Sequence, residues 1–446
     1  MSSPWWKLLN RTQKYTFVMA SLAWLFDCLG QQVFVIARNP AVAALSPAGT
    51  APDELKKWGG YTMAIFVLGW ATGGLIFGAI GDKIGRARSL AISILLYALF
   101  TGLSAFSVTV ADFCIYRFVT GLGVGGVFGL AVALCADALP DEARPHALGL
   151  LQALSALGNI LGGVAAVILG YWASSAWRSL FIAGALPALV CVYLQFRMKE
   201  PEKWVAARAQ GKITGVRFGS YASLLGEKRW RGSAWFGMLL CVAGVVGLWG
   251  IGNFSPDLVN DIIGKMLAAQ HVPAGELLGK RMVWVGLTMI VQNIGSFLGM
   301  LTFTKFTHDH GRKKVFAVAA VCAYLSTVIT FKYLTQTWQI FVLIPIMGFF
   351  QLALFAGFAI YLPELFPLRL RSTGTSFCYN VGRFVAASGP FTLGQLQYFL
   401  AQGAPSNEAK MEAFRDAACW VSLTYLLALF ALPFLPETRG QPLPEG

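Results

Sequence analysis

The chain has 446 residues, of which 56% are hydrophobic and only 13% charged, with a formal net charge of +14. A soluble protein carries roughly 25% charged residues, so a water-exposed fold of this size is excluded and lipid must be the solvent. The positive charge does not indicate nucleic acid, because the basic residues fall in short segments between apolar runs, a pattern that orients helices in a bilayer.

The apolar runs predict twelve spanning helices, in chain order Thr16–Ile36, Tyr61–Ile80, Leu90–Phe106, Ala111–Ala136, Ala147–Trp172, Ser179–Arg197, Gly232–Ser255, Met282–Phe306, Val315–Tyr333, Trp338–Tyr361, Gly374–Leu400 and Ala417–Leu435. Met1–Tyr15 lacks the cleavable-signal pattern, so the first run is expected to be a retained helix. With the N-terminus placed inside, the loops on that side hold about 23 Lys and Arg and the opposite loops about 10. This orientation predicts a multi-pass protein of the cell (inner) membrane with both termini cytoplasmic. The eight cysteines lie in or at the ends of apolar runs and form no CxxC pair. The four histidines fall in loops or near span ends. No metal site, cofactor site or enzymatic nucleophile is expected from them.

The two halves repeat. Asp82-Lys83-Ile84-Gly85-Arg86-Ala87-Arg88 follows span 2, and Asp309-His310-Gly311-Arg312-Lys313-Lys314 follows span 8. Asp137-x-x-Pro140-x-x-x-Arg144 follows span 4, and Glu364-x-x-Pro367-x-x-x-Arg371 follows span 10. The offsets are 226 positions (Gly85 to Gly311) and 227 positions (Asp137 to Glu364). Two independent motifs at nearly one offset imply an internal duplication. The expected organisation is a six-helix bundle over 1–197, a cytoplasmic linker loop over 198–231, and a second bundle with a short tail over 232–446, with a solute site between the bundles near the midplane.

At these motifs the chain resembles the major facilitator superfamily. The stretch Gly78-Ala79-Ile80-Gly81-Asp82-Lys83-Ile84-Gly85-Arg86-Ala87-Arg88 is similar to that family's loop 2–3 signature. Arg117–Gly126 in span 4, the run Pro363-Glu364-Leu365-Phe366-Pro367 with Arg371, and the tail Pro436-Glu437-Thr438-Arg439-Gly440 narrow the resemblance to the proton-coupled metabolite and sugar porter branch. There are departures. Val127 stands where metabolite symporters often carry Glu, and Asp27-Cys28-Leu29-Gly30 supplies one acid where aromatic-acid symporters show two. The resemblance implies an all-α integral membrane protein, twelve transmembrane helices in two pseudo-symmetric six-helix bundles, working by alternating access as a monomer.

Three charges lie well inside spans, where each costs about 2.5–3.5 kcal/mol on insertion scales and therefore needs a reason. They are Asp27, Arg117 and Arg383. Asp27 and Arg117 are expected to pair as a proton switch, a role the resemblance implies for a span 1 acid and a span 4 arginine. No acidic residue in a span is available to Arg383, so Arg383 is expected to bind a substrate carboxylate, with Asn380 and Tyr379 beside it. Gln31, Gln152, Asn159, Gln292, Asn293 and Gln351 complete the expected cavity. At the span ends, Asp82, Arg86, Arg88, Asp137, Arg144, Asp309, Arg312, Glu364 and Arg371 are expected to form a cytoplasmic gate. The expected partners are a small, anionic solute, a proton and the bilayer. A neutral-sugar transporter, a drug exporter and a nontransporting sensor stay open as alternatives.

Overall fold

The computed structural model describes residues 5–172, 177–195, 198–250, 255–387 and 407–445. The described residues are helical throughout, with short turns between helices. The first six helices are α1 (Arg11–Leu45), α2 (Pro52–Ile84), α3 (Arg86–Leu103), α4 (Val110–Ala138), α5 (Arg144–Trp172) and α6 (Trp177–Gln195). They are the first six predicted spans, each beginning earlier than predicted. Asn10 caps α1 with Gln13 in a reciprocal capping box, and Thr109 caps α4 with Asp112 in the same way. Pro52 opens α2, where its missing N–H costs nothing.

The linker loop expected over 198–231 is not irregular. It contains α7 (Glu202–Thr214) and α8 (Tyr221–Gly226), and it docks on both halves. The Trp204 indole donates to Asp82 O at 3.3 Å, the Tyr221 hydroxyl to Leu75 O at 2.6 Å, and Gly219 N to Arg369 O at 3.0 Å. The second half comprises α9 (Lys228–Gly250), α10 (Ser255–Ala269), α11 (Ala274–His310), α12 (Arg312–Tyr333), α13 (Ile340–Glu364), α14 (Arg371–Ala387), α15 (Asn407–Ser422) and the short α16 (Leu427–Ala431). Of these, α9, α11, α12, α13 and α14 are spans 7 to 11, and α15 with α16 makes span 12. Positions 388–400 of the eleventh predicted span lie outside the described residues. A further unforeseen helix is α10, which packs on α11 and whose apolar residues Leu258, Val259, Ile262 and Ile263 are buried in one hydrophobic cluster with residues of α12, α13 and α15.

Ten described helices are long and apolar enough to cross a membrane. Adding α6 and α14 gives twelve. Lipid is required on the outside of the bundle, where Leu186 is 58% exposed, Val318 64% and Phe430 61%. Inside it, α2 packs on α4 and α14, and α5 on α11, which joins the halves at two seams. The α2–α4 contact is backbone on backbone, because a Cβ at Gly73 or Gly125 would collide with the facing main chain. Both chain ends lie on one face. There Gln13 Nε2 donates to Ala138 O at 3.0 Å, and Arg371 Nη2 to Pro444 O at 3.3 Å. This is the termini face.

Candidate functional site

A cavity of about 190 Å³ lies between the halves, walled by α1, α2 and α5 on one side and α9, α11, α13 and α14 on the other. Arg383 of α14 is on its wall, only 2% exposed. Its guanidinium carbon sits 4.1 Å from the ring centroids of both Trp70 and Tyr379. Arginine is suited to such stacking because its planar cation is weakly hydrated. Nη1 donates to Tyr379 O at 2.7 Å and to Asn380 Oδ1 at 3.2 Å. Tyr379 is itself held by stacking on Phe128, with centroids 3.8 Å apart.

Asn380 was expected to touch substrate, but it does not line the cavity. Its amide donates to Ser376 O at 3.0 Å and fills the space over Gly74, where a Cβ would collide with it. It therefore holds Arg383 in place from behind. Gln351 is a second correction. It lies on α13 away from the cavity and donates to Thr327 Oγ1 at 2.9 Å, tying α13 to α12. The other expected polar residues, Gln31, Gln152, Asn159, Gln292 and Asn293, do line the cavity. Three amides form a chain across the halves: Gln32 Nε2 donates to Asn159 Oδ1 at 3.2 Å, and Asn159 Nδ2 donates to Asn293 Oδ1 at 3.0 Å.

The expected Asp27–Arg117 pair is not formed. Arg117 donates to Ser104 Oγ and to Phe100 O (3.1 Å), and it stacks over Phe34, Phe113 and Phe181 at 5.3, 5.8 and 4.8 Å. Phe34 is seven residues beyond Asp27 on α1, about 10 Å along the axis at 1.5 Å per residue. Arg383 forms no ion pair with Asp27 among the described residues, but it lies within electrostatic reach of it. Asp27 is fully buried. Its Oδ2 accepts from Gln31 Nε2 at 2.8 Å, and Oδ1 has no hydrogen-bond partner among the described residues. Gln31 lines the cavity, so one side chain separates the acid from the solute space.

On the termini face the repeated motifs interlock. Asp82 of α2 accepts from Ser372 N (3.2 Å), Thr373 N (2.8 Å) and Thr373 Oγ1 (2.7 Å) at the start of α14. Arg86 pairs with Asp82 at 3.0 Å and with Asp137, and it donates to Leu368 O at 2.7 Å. Arg371 pairs with Asp137 as well, and the backbone N–H of its neighbour Ser372, which donates to Asp82, closes the ring. The four charged side chains are essentially buried and sum to zero. In the second half Arg312 pairs with Glu364 at 2.9 Å. Arg144 donates to Ala136 O at 3.0 Å and pairs with Asp141, so it braces the α4–α5 turn and, among the described residues, makes no pair across the halves.

Besides Arg144, Arg312 and Glu364, two more expected gate residues, Arg88 and Asp309, lie outside the ring. The Arg88 side chain is exposed, and Asp309 is exposed and, among the described residues, has its hydrogen-bond contact with the adjacent His308. The repeat itself explains Asp309. At an offset of 227, Asp309 matches Asp82, Pro145 matches Ser372 and His146 matches Thr373. Proline has no N–H to donate, and the hydroxyl is absent, so the second latch lacks two of the three donors that hold the first. In its place the His146 and His308 rings meet across the α5–α11 seam, 5.0 Å apart.

The sequence reading also missed a pair of acids. Glu200 accepts from the backbone N–H groups of Arg86, Ala87 and Arg88 at 2.8–3.1 Å. Glu437 accepts likewise from Arg312 and Lys313 at 2.9 and 3.1 Å. Each satisfies the N-terminus of α3 or α12. The turns that precede these helices are made by Gly85 at φ +119° and Gly311 at φ +90°, and the carboxylates occupy the space a Cβ would need there. Trp70 and Arg38 on the cavity wall were missed too.

A cavity between two pseudo-symmetric helical bundles, with buried charges beside it and an ion-pair ring closing one face, defines a membrane transporter. The family follows directly: a profile of the Major Facilitator Superfamily matches residues 28–283, more than half the chain, and the protein belongs to that superfamily. It is 29% identical to a protein of Cupriavidus pinatubonensis described as a probable 4-methylmuconolactone transporter, over 98% of this chain and 93% of the relative. It is 28% identical to the cis,cis-muconate transport protein of Acinetobacter baylyi, over 88% and 89%. Among solved structures it is similar to the proton:xylose symporter XylE of E. coli bound to 6-bromo-6-deoxy-D-glucose. The TM-score is 0.73 at 17% identity, covering 97% of this chain and 98% of that one. That likeness establishes the fold. The fold and its relatives are those of transporters, not enzymes.

Proposed function

We propose that this protein is a proton-coupled symporter of a small organic anion, most simply a carboxylate. The observation that carries this reading is Arg383, a cation held rigidly between Trp70 and Tyr379 on a cavity wall that bears no carboxylate among the described residues. A guanidinium so placed recognises a carboxylate with two charge-assisted hydrogen bonds. The names of the muconolactone and muconate relatives are consistent with an organic-acid solute. At about 190 Å³ the cavity is smaller than the roughly 300–1,000 Å³ of sites for drug-sized ligands, which argues against a drug exporter.

Coupling follows from the shared field of Arg383. With the cavity empty, Arg383 offsets the charge of buried Asp27. A bound carboxylate takes that compensation away, and a proton on Asp27 then restores neutrality. By linkage, a proton on Asp27 favours anion binding to the same degree. Arg117, Gln31, Gln152, Asn159, Gln292 and Asn293 support this core by packing and by polar contact with the solute. The ring of Asp82, Arg86, Asp137 and Arg371, reinforced by Arg312–Glu364, acts as the gate on the termini face. That face is cytoplasmic, the protein works as a monomer in the inner membrane, and the closed ring corresponds to the state that faces outward.

A second reading is a neutral-sugar symporter. It is favoured by the amide chain Gln32–Asn159–Asn293, which suits hydroxyl groups. Thermal unfolding of the purified protein with a panel of small carboxylates and sugars separates the two, since a ligand of the folded state raises its apparent stability. Carboxylates should stabilise the parent, and the effect should vanish in Arg383→Gln. Stabilisation by sugars alone, or by carboxylates equally in both proteins, would overturn the anion reading.

A further inference from the structure

We propose that His146 and His308 form a binding site for a divalent transition metal, one that clamps the two halves together at the termini face. The two residues stand 162 positions apart, so no sequence spacing marks them as ligands. The fold brings them together. His146 lies in the first turn of α5 and His308 in the last turn of α11, and their ring centroids are 5.0 Å apart across the seam. One turn further into each helix, a Cβ at Gly149 would collide with Thr304, so the helices touch directly beside the two rings. The other seam has no counterpart. At the offset of 227 that relates the repeats, His146 matches Thr373 and His308 matches Gly81.

The ring spacing fits a shared ion. Zinc sits about 2.0–2.1 Å from an imidazole nitrogen, roughly 3.2 Å from the ring centre for ring bonds of about 1.35 Å. Two imidazoles about 109° apart on one tetrahedral ion then have centres roughly 5.2 Å apart, close to the 5.0 Å observed. The tautomers fit as well. His308 Nδ1 lies 3.2 Å from Asp309 Oδ1. A carboxylate only accepts, so Nδ1 carries the proton and Nε2 keeps its lone pair for a metal. A carboxylate behind a ligating histidine fixes the ring in this way at many metal sites. The ring nitrogens of His146 make no hydrogen bond among the described residues. Local charge does not oppose a dication: Asp309 adjoins His308, Arg312 is paired with Glu364 at 2.9 Å, and Arg144 is paired with Asp141. The dipole at the last turn of α11 favours a cation and offsets the opposite field at the first turn of α5. His308 is exposed and His146 half-buried, so an ion enters from the termini side. Imidazole suits zinc, copper and nickel. Among the described residues no third ligand joins the pair, so water completes the shell and the ion exchanges. Because each half supplies one ligand, the ion binds the closed face and stabilises it over the open one.

The test is equilibrium binding of Zn²⁺ to the full-length protein in detergent, with the eight native cysteines replaced so that no thiol competes. Mg²⁺, which prefers oxygen ligands, is the control ion, and it should not bind. The parent background should bind a single Zn²⁺. His146→Gln and His308→Gln should each weaken binding at least tenfold, and His310→Gln, at an exposed histidine outside the pair, should leave it unchanged. Thermal unfolding without metal monitors the fold of each variant. A Ser376→Cys reporter, buried on the α2–α14 seam, should react with a water-soluble maleimide at least tenfold more slowly in saturating Zn²⁺, and the slowing should vanish in His146→Gln. Absence of zinc binding, binding that survives the loss of either histidine, or an equal loss in His310→Gln overturns the site. Zinc binding without slower labelling, or slowing that persists in His146→Gln, overturns the clamp. Neither result bears on how Arg383 binds a solute.

Discussion

Replacing Asp82 by Asn should open the termini face without emptying the solute site. The Asp82 carboxylate accepts three hydrogen bonds from the first turn of α14 and pairs with Arg86. Asn keeps one acceptor oxygen and turns an N–H₂ toward donors, so at least one charge-assisted bond is lost, worth about 1.5–3 kcal/mol. Favourable contact with the N-terminal dipole of α14 is lost as well, about 0.3–1 kcal/mol. These bonds join the two halves, so they break when that face opens, and about 2 kcal/mol corresponds to roughly a 30-fold larger open population. Ser376 is buried beneath the ring, against Gly78 and Gly129. With the eight native cysteines replaced, a Ser376→Cys reporter should react with a water-soluble maleimide roughly 30-fold faster in the Asp82→Asn background. Substrate affinity should change little. An unchanged labelling rate, or an affinity loss as large as the rate change, would refute the latch.

The remaining predictions use other parts of the repeat. Pro145→Ser with His146→Thr gives Asp309 the donors that Asp82 enjoys, and should lower the Ser376→Cys labelling rate about three- to tenfold; a faster rate would show that the two latches are not equivalent. Burial works to raise the Glu437 carboxyl, but the backbone N–H groups of Arg312, Lys313 and Arg439 outweigh it and hold the group below its ordinary 4.5. A depressed acid stabilises the fold above its unfolded value and loses that contribution as pH falls through the folded value. The parent should therefore unfold at a higher temperature than Glu437→Gln at pH 7, and the difference should shrink as pH drops below about 4.5. A difference independent of pH would contradict this.

The architecture was legible because lipid imposes a simple code. Twenty-odd apolar residues make a span, and the paired motifs at Asp82/Asp309 and Asp137/Glu364 disclose the duplication. The same repeats pointed to nine charges at these span ends, but not to which four of them, Asp82, Arg86, Asp137 and Arg371, are linked. What remained hidden was whatever depends on which helices touch. In sequence Asp27 and Arg117 look like each other's partners, yet Arg117 is satisfied locally by Ser104, Phe100 and three aromatic rings, and the cation near Asp27 comes from α14, more than 350 positions away. Gln351 and Asn380 were misplaced because a buried amide serves a neighbouring helix as readily as a solute. Arg38 was missed because it lies beyond the predicted end of span 1, whereas α1 continues to Leu45. Asp309 was misread because a repeated aspartate was weighed without its partners, and Pro145 and His146 cannot supply what Ser372 and Thr373 do.

Uptake of a labelled carboxylate into proteoliposomes under an imposed pH gradient tests proton-coupled anion transport most directly. The parent should accumulate the acid above its equilibrium level, and a protonophore should abolish the accumulation. Asp27→Asn should still exchange the acid down its gradient but should not concentrate it. Accumulation that persists in Asp27→Asn, or a gradient that drives sugar and leaves carboxylate unmoved, would contradict the mechanism.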